Sequence, residues 1–244
     1  MGSFACCQAW RLRYLETGKQ KLGNRSICLS CKKQLRWFDN IPIVSWILLR
    51  GKCRNCGAKI GFSEILSEIL MAIIFGLSGW YFKPWNGNIV NLALMVVFFV
   101  IFTTMWMLLI YDLKWQQLPI IGLILINVLA IGFTALRQIH DMNGELENVL
   151  LSIGILAGLY FLLYKISNEK WVGGGDWILS LAIGMLLGHW WLALITLFVA
   201  NFLAFGAMLP AAMREEKKTG ALGPFLIIGF LIVFLAQDFL LELI

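Results

Sequence analysis

The chain has 244 residues, of which 60% are hydrophobic and only 14% are charged, and its formal net charge is +6. A soluble domain usually has about a quarter of its residues charged, so this composition excludes an ordinary soluble protein. Residues 1–61 hold 12 of the 20 Lys and Arg residues and only two acids, Glu16 and Asp39. We therefore expect a small basic head at 1–61 followed by a membrane body at 62–244.

The head contains two matched cysteine pairs, Cys28-Leu-Ser-Cys31 and Cys53-Arg-Asn-Cys56, separated by 21 residues. Two short loops that each present two thiolates can complete a tetrahedral sulfur site for Zn²⁺. Two disulfides are the alternative, but a head that faces the cytoplasm keeps its thiols reduced. Four protein ligands leave no open position on the metal, so the predicted site is structural.

A basic metal-binding head can also bind nucleic acid. The positive charge of this head has a simpler explanation, because basic residues next to a membrane body are attracted to the anionic inner leaflet. We therefore expect membrane lipids, and not nucleic acid, as its partner.

The membrane body contains six long apolar runs and one shorter run. A helix needs roughly 20 apolar residues to cross about 30 Å of hydrocarbon, and backbone groups in lipid must be satisfied within their own segment. The runs cover residues 65–82, 89–111, 118–136, 148–164, 177–188, 189–213 and 222–241. The sequence therefore predicts an all-α polytopic membrane protein with about seven transmembrane helices.

The basic residues predict the orientation of these helices. If the head is cytoplasmic and the spans alternate, 18 Lys and Arg residues lie inside, against only Lys83 and Arg137 outside. Those of the inside loops are Lys114, Lys165, Lys170, Arg214, Lys217 and Lys218. We expect a multi-pass protein whose head faces the cytoplasm.

Two aspartates mark the cytoplasmic ends of spans. Residues 88–111 and 177–213 contain no Asp, Glu, Lys or Arg; Asp112 directly follows the first stretch and Asp176 directly precedes the second. An ionisable side chain at membrane depth is costly, which makes both acids functional candidates. Gly173 and Gly175 precede Asp176, and such glycines allow irregular backbone and the close approach of a substrate strand.

Two carboxylates a few Å apart cannot both ionise easily, so they hold one proton between them. The ionised member can deprotonate an attacking water while the protonated member donates to the scissile carbonyl oxygen. The alternatives are structural: Asp176 can cap its helix, and Asp112 can pair with Lys114. For Glu68, inside the first span, lining the cavity or binding substrate competes with partnering a polar group on a neighbouring helix.

An ordered series of short motifs runs along nearly the whole chain. They are Gly2-Ser3-Phe4, the cysteine-bearing region 28–60, Glu68, Asp112-Leu113 with Leu118-Pro119, Gly173-Gly174-Gly175-Asp176, and Gly223-Pro224-Phe225. In this order they resemble the motifs of the type IV prepilin peptidases, which are G-x-G-D intramembrane aspartic proteases. The family usually has eight spans, with a helix ahead of the G-S-F segment, and we expect seven here.

The resemblance implies that Asp112 and Asp176 are the catalytic aspartates and that the cysteine region binds zinc. It implies cleavage after a glycine in the positively charged leader of type IV prepilin or pseudopilin precursors, at the cytoplasmic face of the bacterial inner membrane. In zinc-bearing members it also implies methylation of the new N-terminal amine from S-adenosylmethionine.

Two other classes of function compete with an aspartic endopeptidase. A non-catalytic, membrane-tethered zinc module would tolerate replacement of either aspartate but not of the cysteines. A proton-coupled transporter would carry acids deeper in the bilayer and on both sides of its centre, whereas Asp112 and Asp176 are both predicted near one face. The residues therefore favour the endopeptidase.

Overall fold

A computed structural model describes residues 2–18, 26–28, 30–40, 44–140, 146–213 and 221–242 of the chain. Arg214, Lys217 and Lys218, which contribute to the predicted inside charge, lie outside these residues. The chain forms two compact units, Met1–Leu77 and Ser78–Ile244.

The first unit contains helices α1 (Gly2–Glu16) and α2 (Val44–Leu48), a 3₁₀ turn at Trp37–Asn40 and most of α3 (Phe62–Phe82). Helix α1 packs closely on α3 because the residues between them are small: Gly2, Ala5, Cys6 and Ala9 are buried. A Cβ added to Gly2 would lie only 2.5 Å from the carbonyl carbon of Ser67. Small residues at such a seam let two helix backbones approach each other.

The second unit is a helical bundle. After a 3₁₀ turn at Pro84–Asn86 its elements are α4 (Ile89–Trp115), α5 (Ile120–His140), α6 (Leu146–Ile153), a π-helical turn at Gly154–Gly158, α7 (Leu159–Ser167), α8 (Gly174–Leu187), α9 (Trp190–Met213), α10 (Gly223–Leu235) and α11 (Gln237–Leu241).

Five apolar segments of the described residues are long enough to cross a membrane: Ile65–Phe82, Ile89–Trp115, Ile120–Ile139, Leu146–Ser167 and Trp190–Leu209. The two remaining predicted runs correspond to the shorter apolar helices α8 and α10. The prediction of an all-α polytopic membrane protein is confirmed. Two irregularities were not predicted: the π-helical turn interrupts the fourth run, and a break at Ala236 separates α11 from α10.

Helix α8 occupies the middle of the bundle and packs against α5, α6, α7 and α10. Polar side chains of neighbouring helices donate to its carbonyl groups: Ser152 Oγ to Gly184 at 2.8 Å, and Asn127 Nδ2 to Ile178 at 3.1 Å. Hydrogen bonds between helices in an apolar environment fix their relative positions. The short α8, which begins with the G-x-G-D segment, is therefore held firmly by its surroundings.

Candidate active site and metal centre

Asp112 lies in the last turn of α4, which continues past the predicted end of this span to Trp115. Its side chain is buried, with 4% of its surface exposed. The Oδ2 atom is fully enclosed, and the backbone of Gly223 is the polar group that interacts with this carboxylate. Because burying a carboxylate is costly, this position calls for a functional explanation.

Asp176 lies in the first turn of α8 and is 9% exposed. Its Oδ2 accepts a hydrogen bond of 3.1 Å from the Gly173 amide, and its own amide donates to the Gly173 carbonyl at 3.1 Å. The side chain therefore caps its helix, as the structural interpretation suggested, but capping occupies only one of its two carboxylate oxygens.

The two aspartates lie in the same region of the bundle, because α10 packs against both α4 and α8. Asp176 is near enough for its charge to act on Asp112. Gly223 is the first residue of α10, and a Cβ added to it would lie 2.6 Å from Asp112 Oδ2 and 3.5 Å from Leu118 Cδ1. A Cβ added to Gly175 would lie 2.8 Å from Leu118 Cβ. Leu118 thus lies between the glycine beside Asp112 and the glycine beside Asp176.

Only part of the predicted glycine backbone is irregular. Gly173 is extended and precedes α8, whereas Gly174 and Gly175 are already helical. Gly175 is required for a different reason from the one expected, because Leu118 leaves no room for a Cβ. At Gly174 a Cβ would lie 3.5 Å from Tyr164 Cε2, which is an ordinary contact distance. The motif therefore serves helix packing as well as backbone freedom.

Such an arrangement suits acid–base hydrolysis. Two enclosed carboxylates whose charges interact share a proton readily, so one can act as a base toward water and the other as an acid toward a carbonyl oxygen. Neither group needs a metal or a nucleophilic side chain for this chemistry.

Glu68 belongs to the first unit, where it joins α1 to α3. Its side chain is 7% exposed, and Oε1 accepts a hydrogen bond of 2.6 Å from the amide of Ser3. The Glu68 carboxylate, which belongs to α3 and lies beside the first turn of α1, also compensates the unsatisfied amides and partial positive charge of that helix end. This contact agrees with the interpretation of Glu68 as the partner of a polar group on another helix.

The four cysteines of the head come together. The Sγ atoms of Cys28, Cys31, Cys53 and Cys56 all lie within 4.8 Å of one another, and all four thiols are free. Cys28 Sγ and Cys56 Sγ are 3.9 Å apart. Zn–S bonds of about 2.3 Å in a tetrahedron place sulfur atoms about 3.8 Å apart, so this cluster has the right size for such a metal.

The two cysteine loops have the same backbone pattern. In the first, Cys28 N donates to Lys33 O and Lys32 N donates to Cys28 O; in the second, Cys53 N donates to Ala58 O and Gly57 N donates to Cys53 O. Lys32 and Gly57 hold equivalent positions with φ of 56° and 68°. The repeated turn points both pairs of thiols toward one centre.

The thiols influence each other's ionisation. The amide of Cys31 is the strongest influence on Cys28 and lowers the pKa of that thiol to about 7. The amide of Ala58 acts in the same direction on Cys56, but desolvation and hydrogen bonding with the other three thiols outweigh it and raise the pKa of Cys56 to about 11. Four thiolates in such a space need a cation, which a bound divalent metal supplies.

An ion pair between Arg54 and Asp39 stabilises the second cysteine loop. Arg54 Nε lies 3.0 Å from Asp39 Oδ1, and Asp39 Oδ2 accepts from the Arg36 amide at 3.3 Å. The Arg54 guanidinium carbon also lies 5.1 Å from the centre of the Phe38 ring. These contacts connect the loop to the 3₁₀ turn between the two cysteine pairs.

Sequence reasoning missed three features near the aspartates. These are the contact between Gly223 and Asp112, the buried Tyr160, and its hydrogen-bond partner Asn201 on α9. The sequence did contain a sign of the last two, because both are polar residues within the apolar runs that form α7 and α9. A polar side chain at membrane depth is costly unless it has a partner.

Comparison with known proteins gives these residues a context. The family model described as Bacterial Peptidase A24 N-terminal domain matches residues 1–82, which include the cysteine cluster. No solved structure matches the chain significantly.

Curated proteins match most of the chain. It is 30% identical over 216 residues to the prepilin leader peptidase/N-methyltransferase of Vibrio cholerae serotype O1, covering 86% of this chain and 81% of that protein. The Neisseria gonorrhoeae protein of the same name is 32% identical over 214 residues, covering 87% and 71%. An Escherichia coli O78:H11 protein, named as a type 4 prepilin-like proteins leader peptide-processing enzyme, is 27% identical over 212 residues, covering 84% and 73%. The chain therefore belongs to the prepilin leader peptidase/N-methyltransferase family.

Proposed function

We propose that this protein is an aspartic endopeptidase that removes the leader from type IV prepilin and pseudopilin precursors. The observation that carries the proposal is the burial of Asp112 and Asp176 close enough for their charges to interact. The names of the relatives, all of which refer to prepilin leader processing, support the choice of substrate. Cleavage occurs after a glycine of the leader.

The mechanism follows from the different surroundings of the two carboxylates. The Gly173 amide holds one oxygen of Asp176 and orients that side chain, while Asp112 is enclosed and interacts with the backbone of Gly223. One carboxylate takes a proton from a water that attacks the scissile carbonyl, and the other, protonated, donates its proton to the carbonyl oxygen. When the intermediate breaks down, the first carboxyl passes the proton it took from the water to the leaving amine, and the hydroxyl proton of the intermediate returns to the second carboxylate. Gly223 lies against Asp112 and Gly175 lies against Leu118, so neither position has room for a larger side chain.

A second activity is proposed from the relatives' names alone. Both the V. cholerae and N. gonorrhoeae proteins are named as N-methyltransferases. For this chain we propose methylation of the new N-terminal amine, with S-adenosylmethionine supplying the methyl group.

The head is proposed to carry a structural Zn²⁺. Its four thiols have the spacing of a tetrahedral sulfur site and provide the four ligands that a closed zinc site requires. A segment of about 60 residues with a small apolar core gains much of its stability from such a metal. We accordingly assign residues 1–61 to the zinc head and residues 62–244 to the peptidase.

We place the protein in the bacterial cytoplasmic membrane, with the head and both aspartates at the cytoplasmic face. The excess of Lys and Arg in the head and the predicted inside loops supports this orientation. A cytoplasmic active site suits a substrate whose charged leader has not crossed the membrane.

Co-expression with a type IV prepilin tests the function. We expect conversion to a shorter product, and mass spectrometry of its N-terminus identifies both the cleaved bond and any added methyl group. A precursor that remains intact beside folded, membrane-inserted protein would contradict the peptidase and favour the zinc-module or transporter class. Cleavage without methylation would contradict only the second activity.

A further inference from the structure

Tyr160 is a buried tyrosine to which the peptidase motifs assign no role. It lies in the first turn of α7, and 1% of its surface is exposed. Its hydroxyl oxygen accepts a hydrogen bond of 2.9 Å from Asn201 Nδ2, and the same amide group donates to the Leu197 carbonyl at 2.8 Å. Because Asn201 donates to the Tyr160 oxygen, the hydroxyl proton of Tyr160 can be donated to another group. Within the described ranges no residue accepts that proton.

The tyrosine lies beside the start of α8. The charge of Asp176 acts on the Tyr160 hydroxyl. One turn further along α7, the ring of Tyr164 meets Gly174 at the first position of α8. Since α7 and α8 pack on each other, Tyr160 lies one helical turn from this contact, in the same part of the bundle as Asp176.

The backbone ahead of Tyr160 supports a special role for this position. The π-helical turn Gly154–Gly158 immediately precedes α7, and this turn packs against α8. A π-helical turn rotates the residues that follow it around the helix axis, and such turns are frequent at functional sites. Here the turn sets which face of α7 meets α8, and Tyr160 is the first polar residue after it.

Asp176 has one carboxylate oxygen in use and one free. Its Oδ2 accepts from the Gly173 amide, whereas no donor to Oδ1 is found in the part of the chain that the structure describes. A carboxylate held at one oxygen can still rotate, and a second donor would fix its plane. A phenol proton can supply that bond through one water molecule.

We propose that Tyr160, held by Asn201, is a positioning residue of the peptidase. Its hydroxyl donates to a water that bridges to Asp176 Oδ1 and so orients the carboxylate for the reaction. This inference rests on the proposed function, because it assigns Tyr160 a part in the chemistry of the same two aspartates.

The test compares two tyrosines of one helix. Tyr160→Phe keeps the ring and removes the hydroxyl; we expect kcat for leader cleavage to fall about 10-fold, with KM within about twofold of the parent, because a bond acting in the transition state is lost while substrate binding is unchanged. Tyr164→Phe is the matched control. Its hydroxyl donates to Glu169 at 2.7 Å in an exposed pair, and this variant should keep the parental kcat.

A double-mutant cycle separates positioning from packing. Asn201→Leu should lower kcat in the same way, and Tyr160→Phe combined with Asn201→Leu should be no slower than Tyr160→Phe alone. Parental kcat in Tyr160→Phe, or multiplicative losses in the double variant, would overturn the inference.

If Tyr160→Phe does not accumulate in folded form, the kcat of Asn201→Leu decides, and a parental value overturns the inference. The parent protein is the internal reference. Its failure to cleave a prepilin would contradict the proposed function, whereas normal cleavage by the Tyr160 variant contradicts only the role of Tyr160.

Discussion

Gly223 and Asp112 lie against each other across the junction of α10 and α4, so closely that a Cβ on Gly223 would be 2.6 Å from Asp112 Oδ2. The first residue of α10 thereby forms one side of the space around a buried carboxylate. This contact depends on the tertiary fold, because more than 100 positions of the sequence separate Gly223 from Asp112. The G-P-F motif therefore has a physical meaning at the candidate active site.

Gly223→Ala should impair cleavage strongly. Relieving the overlap requires a shift of the Asp112 carboxylate or of α10 by nearly 1 Å, and misplacements of that size reduce rates by about 100-fold. Gly206→Ala is the control, because a Cβ there meets no described atom within 4 Å. Cleavage rates of the two purified variants decide; parental activity in Gly223→Ala would contradict the tight contact.

Gly175→Ala should disturb the packing of α8. Its new Cβ would lie 2.8 Å from Leu118 Cβ, whereas Gly174→Ala introduces only a contact at 3.5 Å with Tyr164. Overpacking of this kind costs about 1–3 kcal/mol, so thermal unfolding in detergent should occur at a lower temperature for Gly175→Ala than for Gly174→Ala.

A compensating change tests the physical cause of that effect. Leu118→Ala in the Gly175→Ala background should recover part of the lost stability, because it removes the leucine branch that approaches within 3.0 Å of the added Cβ. Equal unfolding temperatures for the two single glycine variants would be inconsistent with the packing described.

Glu68→Ala should loosen α1 from α3. The change removes the acceptor of the part-buried Ser3 amide, and losing this hydrogen bond to a charged group costs about 1–3 kcal/mol. Cys6, which is 4% exposed and whose thiol lies 3.7 Å from Ser67 Oγ, should then react faster with a maleimide. Mass spectrometry of the labelled peptides measures this.

Glu68→Gln provides the matched control, since its side-chain carbonyl still accepts the hydrogen bond. We expect slow labelling of Cys6 in this variant, as in the parent. If both Glu68 variants label as slowly as the parent, Glu68 does not secure α1, and the alternative of a substrate-binding or cavity-lining residue gains support.

Cys28→Ser should abolish metal binding by the head. Elemental analysis of the parent is expected to give about one zinc ion per chain, and the variant none, because a closed zinc site needs all four sulfur ligands. Cys7→Ser, which changes a cysteine of α1 outside the cluster, should retain the metal. A metal-free parent protein would contradict the zinc assignment.

Local patterns predicted much of this architecture. The seven apolar runs of the sequence correspond to the seven apolar helical segments of the structure. The two C-x-x-C pairs likewise predicted turns that bring four thiols together. Helix α1 was not anticipated, because its small residues carry little hydrophobic signal and its contacts with Ser67 and Glu68 join it to the distant α3. Composition cannot reveal such a partner.

The details of the active site were also beyond local reasoning. The aspartates were predicted on one side of the membrane, but their enclosure depends on Gly223 and Leu118, which approach only after α4, α8 and α10 have packed. The Tyr160–Asn201 hydrogen bond likewise joins two distant apolar runs. The periodicity of apolar residues and the spacing of motifs indicate which residues face inward. Which residues contact each other is determined by the packing of the helices.

Replacement of each aspartate tests the central claim most directly. Purified Asp112→Asn and Asp176→Asn proteins, each inserted and folded like the parent, are incubated with a prepilin and the product is followed by a gel shift. Asp238→Asn, which alters an exposed acid of α11, is the control. We expect no cleavage by either of the first two variants and parental cleavage by the third; full processing by Asp112→Asn or Asp176→Asn would contradict the two-carboxylate mechanism.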